Sequence, residues 1–216
     1  MKLTKDKKLW IPNNDNWFWR DSYEQKHFFD TMKFIPNRNI ALDIGAHVGI
    51  WTKRLSTIFE KVISFEPVKE HIECWNENCK GINNVEIHEI GISDKVDVVD
   101  MKVTQHNSGM STLEFNPDRV RTSKITQVNT TTIDNYNFDK IDFIKIDTEG
   151  HELNVLEGAT NTLEKYKPSI FIEIHPKELK KENNAYNFLC KLGYEEVLKL
   201  GGSNFLMKIK YVKDYT

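Results

Sequence analysis

The stretch Ile40-Ala-Leu-Asp-Ile-Gly-Ala-His-Val-Gly-Ile50 decides the fold. It opens with an apolar run of strand length, sets an acid near the run's carboxyl end, turns through glycine and then begins a helical pattern. In an α/β sheet this order marks a strand, a tight turn and a helix start, with a ligand crevice beyond the strand end. Gly45 has no Cβ to hold a ligand away from the backbone, and Gly49 lets the next helix pack close to the strand. Asp43 offers acceptor oxygens to an ammonium group. His47 either touches the cofactor or only fills a variable position of the loop, and the second reading is favoured.

Further apolar runs at 62–65, 85–90, 141–146 and 170–174 alternate with helical stretches near 49–58, 69–79 and 152–165. That alternation belongs to a mostly parallel sheet with helices on both faces, a Rossmann-like doubly wound α/β fold. Between residues 95 and 132 the helical rhythm gives way to β-rich pieces, Val96-Asp-Val-Val-Asp-Met-Lys-Val103 and 125–131. Turns are expected at Asn107-Ser-Gly109 and at Asn116-Pro-Asp118, which makes the region an antiparallel insertion before the fourth main strand. A polar helix near 177–191 and strands at 195–198 and 204–209, divided by Gly201-Gly202, close the chain as an antiparallel edge. Residues 1–38 form an aromatic-rich extension or helical cap on a domain of residues 39–216. Trp10, Trp17, Phe18, Trp19, Tyr23, Phe28, Phe29 and Phe34 crowd into it. Asp21 is expected to cap a helix running to about Lys33, with Phe28, Phe29 and Met32 facing a core and Pro36 ending it. A packing helix is favoured over a substrate lid.

The 216 residues, 39% hydrophobic and 29% charged, suit one globular domain with its own core. Thirty basic against thirty-two acidic side chains leave a charge of −2, which supplies no field for a phosphate backbone and argues against general nucleic-acid binding. Lys2, Lys5, Lys7 and Lys8 read as a solvated terminus. Cys74, Cys79 and Cys190 match neither a paired disulfide framework nor a C-x-x-C metal spacing, so reduced thiols and a cytoplasmic location are expected. The amino end lacks an apolar leader and the chain holds no run of 18 apolar residues, so no membrane partner is expected.

The loop spacing is D-x-G-x-x-x-G. A dinucleotide needs G-x-G-x-x-G, because its pyrophosphate lies across exposed N–H groups at a helix start. A nicotinamide oxidoreductase is therefore disfavoured. A cofactor with an amino-acid tail and no phosphate suits an acidic loop better, and S-adenosyl-L-methionine is such a cofactor. Asp43, Gly45, Ala46 and Gly49 form its first segment. The second strand ends in Ser64-Phe65-Glu66-Pro67, placing Glu66 and Pro67 where a ribose diol would sit. Gly91-Ile92-Ser93-Asp94, after the third strand, flanks the adenine position.

In order as well as in motif these residues resemble the FkbM family of class I S-adenosylmethionine-dependent methyltransferases. The resemblance also takes in Asn129-Thr-Thr-Thr-Ile-Asp134, Leu156-Glu-Gly-Ala159 and Phe171-Ile-Glu-Ile-His-Pro176. It includes Ile141-Asp-Phe-Ile-Lys-Ile-Asp147-Thr-Glu149-Gly-His151-Glu-Leu153, and its most specific part is the run from Asp147 to Ala159. The resemblance implies a seven-stranded sheet with an antiparallel last strand. It also implies O-methylation of a sugar, glycan or secondary-metabolite hydroxyl, so the acceptor is a small molecule or carbohydrate. Asp43, Gly45, Gly49 and Glu66 carry over as cofactor contacts, with Asp147 beside the methionine end and the reacting methyl.

A hydroxyl becomes a good nucleophile only as its proton leaves, and a carboxylate or imidazole in reach can take it. Asp147, Glu149 and His151 follow the fourth strand while Glu173 and His175 follow the fifth, so neighbouring strand ends gather all five. His151 or Glu149 is the expected base, and Glu173 and His175 the residues that orient the acceptor. The same groups suit Mg²⁺ or Mn²⁺, but their spacing fixes no coordination geometry, so a divalent cation is the less favoured option. Glu152 reads as a first-turn helix acid. The polar loop Gln105-His-Asn-Ser-Gly-Met-Ser-Thr112 either closes over the acceptor or is a plain turn. Two alternatives share the cofactor half: an N-methyltransferase acting on nucleic acid or protein, and a binding protein without turnover. The first is disfavoured because no Asn/Asp-Pro-Pro-Tyr element follows the fourth strand.

Overall fold

A computed structural model describes residues 1–17, 19–104, 106–114 and 123–210, with the backbone alone at Ser123. Phe18, Gln105 and the turn expected at Asn116-Pro-Asp118 lie outside the described residues. The chain begins with a two-strand ribbon, β1 (Lys2–Leu3) and β2 (Trp10–Ile11), and then α1 (Gln25–Met32). The first wound half follows: β3 (Ile40–Ile44), α2 (Ile50–Leu55), β4 (Lys61–Phe65), α3 (Lys69–Asn78) and β5 (Val85–His88). The insertion holds β6 (Gly91–Ile92), β7 (Asp97–Thr104) and β8 (Ser123–Thr131). The second half is β9 (Phe143–Ile146), α4 (Glu152–Glu157), α5 (Thr160–Tyr166), β10 (Ser169–Glu173), α6 (Ala185–Lys191), β11 (Tyr194–Leu200) and β12 (Asn204–Ile209).

Seven strands form one sheet in the order β11-β12-β10-β9-β3-β4-β5. The pairs from β10 through β5 are parallel, while β12 runs antiparallel to both β10 and β11. The closing pair is thus the expected antiparallel edge, with the last strand lying one place in from the rim. From β3 the chain winds outward to β4 and β5, then returns through the insertion to β9 on the other side of β3. That reversal opens a crevice at the carboxyl ends of β3 and β9, where such sheets bind ligands.

The central strands are apolar on both sides because both faces are covered. Leu42, Ile63 and Ile144 join α4, α5 and α6 on one face. Their chain neighbours Ala41, Val62 and Phe143 pack with Trp51, Leu55 and Phe59 on the other. A side-chain period of two sorts one sequence run into two cores. Phe28, Met32 and Ile35 belong to the second core, so the extension supplies part of the layer covering that face. The insertion builds a separate three-stranded sheet, β6-β8-β7, antiparallel between β7 and β8.

Three elements differ from expectation. Helix α1 starts at Gln25, after Glu24 turns through a left-handed φ of 54°. Asp21 does not cap it; its carboxylate lies 3.3 Å from the Lys53 ammonium and its carbonyl accepts from the Arg54 guanidinium. Phe28 and Met32, four apart, are buried, whereas Phe29 falls off that stripe and is exposed. The helix near 152–165 is two helices, α4 and α5. A Cβ on Gly158 would lie 2.0 Å from the Ser93 carbonyl oxygen, so the backbone comes close there, and Asp134 caps α5 through the amides of Asn161 and Thr162. The polar stretch 177–184 has no apolar face to bury. Helix forms only from Ala185, where the Asn184 side chain accepts from the Asn187 amide at 2.9 Å.

Candidate active site

A cleft enclosing about 1120 Å³ out to its mouth lies over the carboxyl ends of β3, β4, β9 and β10. The strand ends and their turns form its floor, including Gly45, Ala46, Glu66, Asp147, Glu149 and Glu173. One wall comes from the insertion, through Met101, residues 107–111 and Leu113, and from Gly91 and Ile92. The other comes from Trp17, Trp19, Tyr23 and Glu24 ahead of α1 and at its start.

The glycine loop is determined by backbone packing. Gly45 has φ 74° and Gly49 φ 88°, both in the left-handed region that favours glycine. A Cβ on Gly45 would stand 2.0 Å from the Asp147 carbonyl oxygen; one on Gly49 would stand 2.8 Å from Trp75 in α3. Gly45 therefore admits the neighbouring strand end, and Gly49 seats α3. The amides of Gly45 and Ala46 both donate to the Phe65 carbonyl at 3.1 Å, tying the loop to the end of β4.

Glu66 is buried directly below this loop. Its Oε2 accepts from the His47 amide at 2.9 Å, and its Oε1 accepts from the Val68 amide at 3.0 Å and lies 3.1 Å from His71 Nδ1. Burial alone would raise this carboxyl, but the His71 charge and the three donors hold it below its usual value. It is thus set to stay an anion at the end of β4, with Pro67 beside it in the lining.

Asp43 is fully buried and does not line the cleft. Its Oδ2 accepts from Thr52 Oγ1 at 2.6 Å, and its Oδ1 lies 3.5 Å from Lys145 Nζ. The ammonium facing Asp43 thus belongs to the protein. Burial pushes the Asp43 carboxyl upward, against the pull of Lys145 and Thr52. Lys145, buried in the middle of the sheet, also donates to the Gly45 carbonyl at 2.8 Å and stands 3.5 Å from Asp147 Oδ2. Burial works against its charge, yet Asp147, Asp43 and Glu24 outweigh burial and hold its pKa above the usual lysine value. Lys145 links the strand end that carries Asp43 to the one that carries Asp147.

Asp147, Glu149 and Glu173 all face the cleft, with Glu24 opposite them on α1's entry turn. Glu24 Oε2 accepts from the Trp51 indole at 2.8 Å. Asp147, then burial, then Glu149 and Glu24 push the Glu173 carboxyl up to about 9, against the pull of Lys145. Glu149 has a left-handed φ of 56°, and its carbonyl accepts from Thr112 Oγ1 at 2.9 Å.

His151 lines the cleft with both ring nitrogens engaged, Nε2 at 2.9 Å from Ser93 Oγ and Nδ1 at 2.8 Å from Glu114 Oε1. His175 does not line the cleft; its Nδ1 accepts from the Lys177 amide at 3.2 Å within the turn after β10. Glu152 is buried, and its Oε1 accepts from the amides of Thr148 and Gly150 and from Thr148 Oγ1, shaping the acidic turn. Among the described residues no group of three or more His, Cys, Asp or Glu side chains is placed to hold a metal ion.

With this geometry the comparisons with known proteins agree. The Methyltransferase FkbM domain matches residues 43–196, more than two thirds of the chain. The chain belongs to the FkbM methyltransferase family. No curated protein matches it. Among solved structures it is similar to Methyltransferase FkbM from Methylobacillus flagellatus KT, at 17% identity and TM-score 0.54 over 79% of this chain. It spans only 43% of that protein. It is also similar to SMU.1697c of Streptococcus mutans, in complex with SAH, at 16% identity and TM-score 0.53, covering 88% of this chain and 97% of the other. Ribosomal protein L11 methylase from Lactobacillus delbrueckii subsp. bulgaricus gives 12% identity and TM-score 0.54, covering 98% and 89%. At these identities the likeness is one of fold.

In this FkbM-family chain, sequence reading missed several residues of the cleft. Lys145 sits inside an apolar strand, and a lysine there has to be paired. That was a usable signal. Glu24 carried none, since it reaches the cleft from a segment distant in sequence, whereas Ser108 belongs to the polar loop 105–112 that the sequence offers as a cover for the acceptor or a plain turn, and it does line the cleft. No helix among the described residues is long and apolar enough to cross a membrane.

Proposed function

We propose that this FkbM-family methyltransferase uses S-adenosyl-L-methionine to methylate a hydroxyl of a sugar, glycan or secondary metabolite. The observation that carries this reading is the charge of the cleft. Glu24, Glu66, Asp147 and Glu149 line it beside the protonated Glu173, and Lys145 is the one ammonium in its lining among the described residues. A dinucleotide pyrophosphate would be repelled there, whereas a ligand bearing a sulfonium and an ammonium would be attracted. Gly45, Ala46 and Asp147 would hold its amino-acid end, Glu66 and Pro67 its ribose, and Gly91 and Ile92 its adenine. Asp43 and Gly49 support this surface from beneath.

The bound cofactor supplies an electrophilic methyl group. The chain's own work is to position the acceptor and take its proton. We assign that proton to Glu173. Its high pKa in the acidic cluster falls when positive charge enters the cleft, leaving a carboxylate in reach of a hydroxyl. Asp147, fixed by Lys145, and Glu149 orient the acceptor. His151, held by Ser93 and Glu114, braces the acidic turn in this scheme, which moves the base role away from His151 and Glu149. Free buried Cys74 and Cys79 suit a reducing cytoplasm.

A labelled-methyl transfer screen over glycans, nucleotide sugars and hydroxylated metabolites, with the product located by mass spectrometry, tests the reading. The expected product carries its methyl on oxygen, and Glu173→Gln lowers kcat by about 10²- to 10⁴-fold. Methyl found on nitrogen, or full turnover by the variant, would contradict it.

A further inference from the structure

His47 stands where three segments distant in sequence meet. Asp15 is 1% exposed, and its Oδ1 accepts from the Trp17 amide at 2.8 Å. Its Oδ2 accepts from the Trp19 indole at 2.8 Å, from the Ser108 amide at 3.0 Å and from the Ser108 hydroxyl. Ser108 is 2% exposed, and its Oγ lies 2.6 Å from His47 Nε2. The rings of Trp19 and His71 lie 4.9 Å and 4.6 Å from that of His47.

The proton inventory of this chain of contacts has one solution. A carboxylate only accepts, so the single hydroxyl proton of Ser108 goes to Asp15. Ser108 Oγ then has only lone pairs to offer His47, so the proton between them sits on His47 Nε2. Burial, with His71 and Lys145 near, holds the imidazole well below its ordinary range, so the ring is neutral and Nδ1 keeps a lone pair. Directly below, Glu66 Oε1 is filled by two donors and Oε2 by one, which leaves Glu66 one acceptor position. A vicinal diol brings two donors.

We propose that Asp15 and Ser108 are positioning residues that fix the tautomer of His47, making its Nδ1 a second acceptor beside Glu66 for a ligand's vicinal hydroxyls. This rests on the cofactor reading above, in which that diol is the ribose. The same contacts join the two walls over the cleft. The Asn16 amide donates to the His106 carbonyl at 3.0 Å, and a Cβ on Gly109 would meet the Trp19 ring at 2.7 Å. The contacts that join the walls are therefore also the ones that fix the tautomer.

The test uses the full chain as wild type, Ser108→Ala and His47→Phe, the last keeping a ring against Trp19. Long-range ¹H–¹⁵N correlation spectroscopy reads the His47 tautomer without ligand, and calorimetry reads S-adenosylhomocysteine binding. The wild type is expected to carry its His47 proton on Nε2 alone. Ser108→Ala is expected to show both tautomers and to bind about fivefold more weakly, with His47→Phe at least as weak. A wild-type proton on Nδ1, or wild-type affinity in either variant, would overturn the proposal. Absence of binding by the wild type would overturn the cofactor reading and the role of His47 with it. Binding that survives both substitutions would overturn the role of His47 alone.

Discussion

The two sides of the cleft are built differently. On the floor, at the ends of β3, β4 and β9, the polar groups are matched across neighbouring strand ends and the loops that follow them. Glu66 takes three protein donors, and Lys145 bridges Asp43, Asp147 and the Gly45 carbonyl. On the outer wall, Trp17 and Tyr23 expose 49% and 38% of their surface, and the contacts come from residues 12–24 and 106–114, far apart in the chain. A floor set by strand ends is rigid and suits a cofactor that does not vary. A wall assembled from an extension and an insertion can change its side chains without disturbing the sheet, which suits an acceptor that differs between relatives.

The sharpest way to break this contrast is Lys145→Met. It removes the ammonium that stands between two carboxylates, one of them fully buried, and is expected to cost about 3–5 kcal/mol of stability. Denaturant unfolding checks it; a loss under about 1 kcal/mol would mean that the floor is not held by this residue. Glu66→Gln comes next. An amide placed where the carboxylate now accepts from His47, Val68 and His71 leaves a donor facing donors. It should weaken S-adenosylhomocysteine binding by about 30-fold, roughly 2 kcal/mol, in calorimetry.

Glu173 tests the seam between floor and wall through pH. Its pKa of about 9 in the folded protein lies above the ordinary glutamate value of 4.5. Between those values the folded state keeps a proton that the unfolded chain has lost. This contribution to stability is complete below about pH 4.5 and fades as pH rises towards 9. Unfolding midpoints of the wild type should therefore fall across that window relative to Glu173→Gln, whose side chain does not titrate. Parallel pH profiles would show that the acidic cluster does not act on Glu173. The smallest effect belongs to the wall. Trp17→Ala is expected to leave stability within about 0.5 kcal/mol and S-adenosylhomocysteine affinity within about twofold, while raising the acceptor KM. A large loss of cofactor affinity would erase the distinction between the two sides.

The same contrast explains what could be read from the sequence. Asp43 through Gly49 and Glu66 announced themselves because a strand end, a left-handed turn and a helix start restrict which residues fit. The apolar runs at 40–44 and 204–209 match β3 and β12 residue for residue. Gly45 was legible as a necessary glycine, but for a different reason: its missing Cβ makes room for the Asp147 carbonyl. Asp43 was legible as an acid at the right place, but its partner ammonium is Lys145, hidden in a run read only as a strand. His175 sits two residues after Glu173 in sequence, yet the turn after β10 draws its ring to the Lys177 amide. Asp15 and Glu114 could not be found in advance, since each acquires its role from a fold that brings distant segments together; the loop 105–112 was legible as a polar loop, but not the pairing of its Ser108 with Asp15 and His47. The helix expected from Asp21 failed locally, because the carboxylate found Lys53 in place of α1's first amides.

The central claim is that the floor of this cleft binds a cationic nucleoside with an amino-acid tail. Calorimetry of the full chain with S-adenosylhomocysteine and with NAD, for the wild type and Glu66→Gln, tests it most directly. The account predicts saturable one-site binding of S-adenosylhomocysteine, its weakening in the variant, and no heat from NAD. Tight NAD binding with no response to S-adenosylhomocysteine would contradict it.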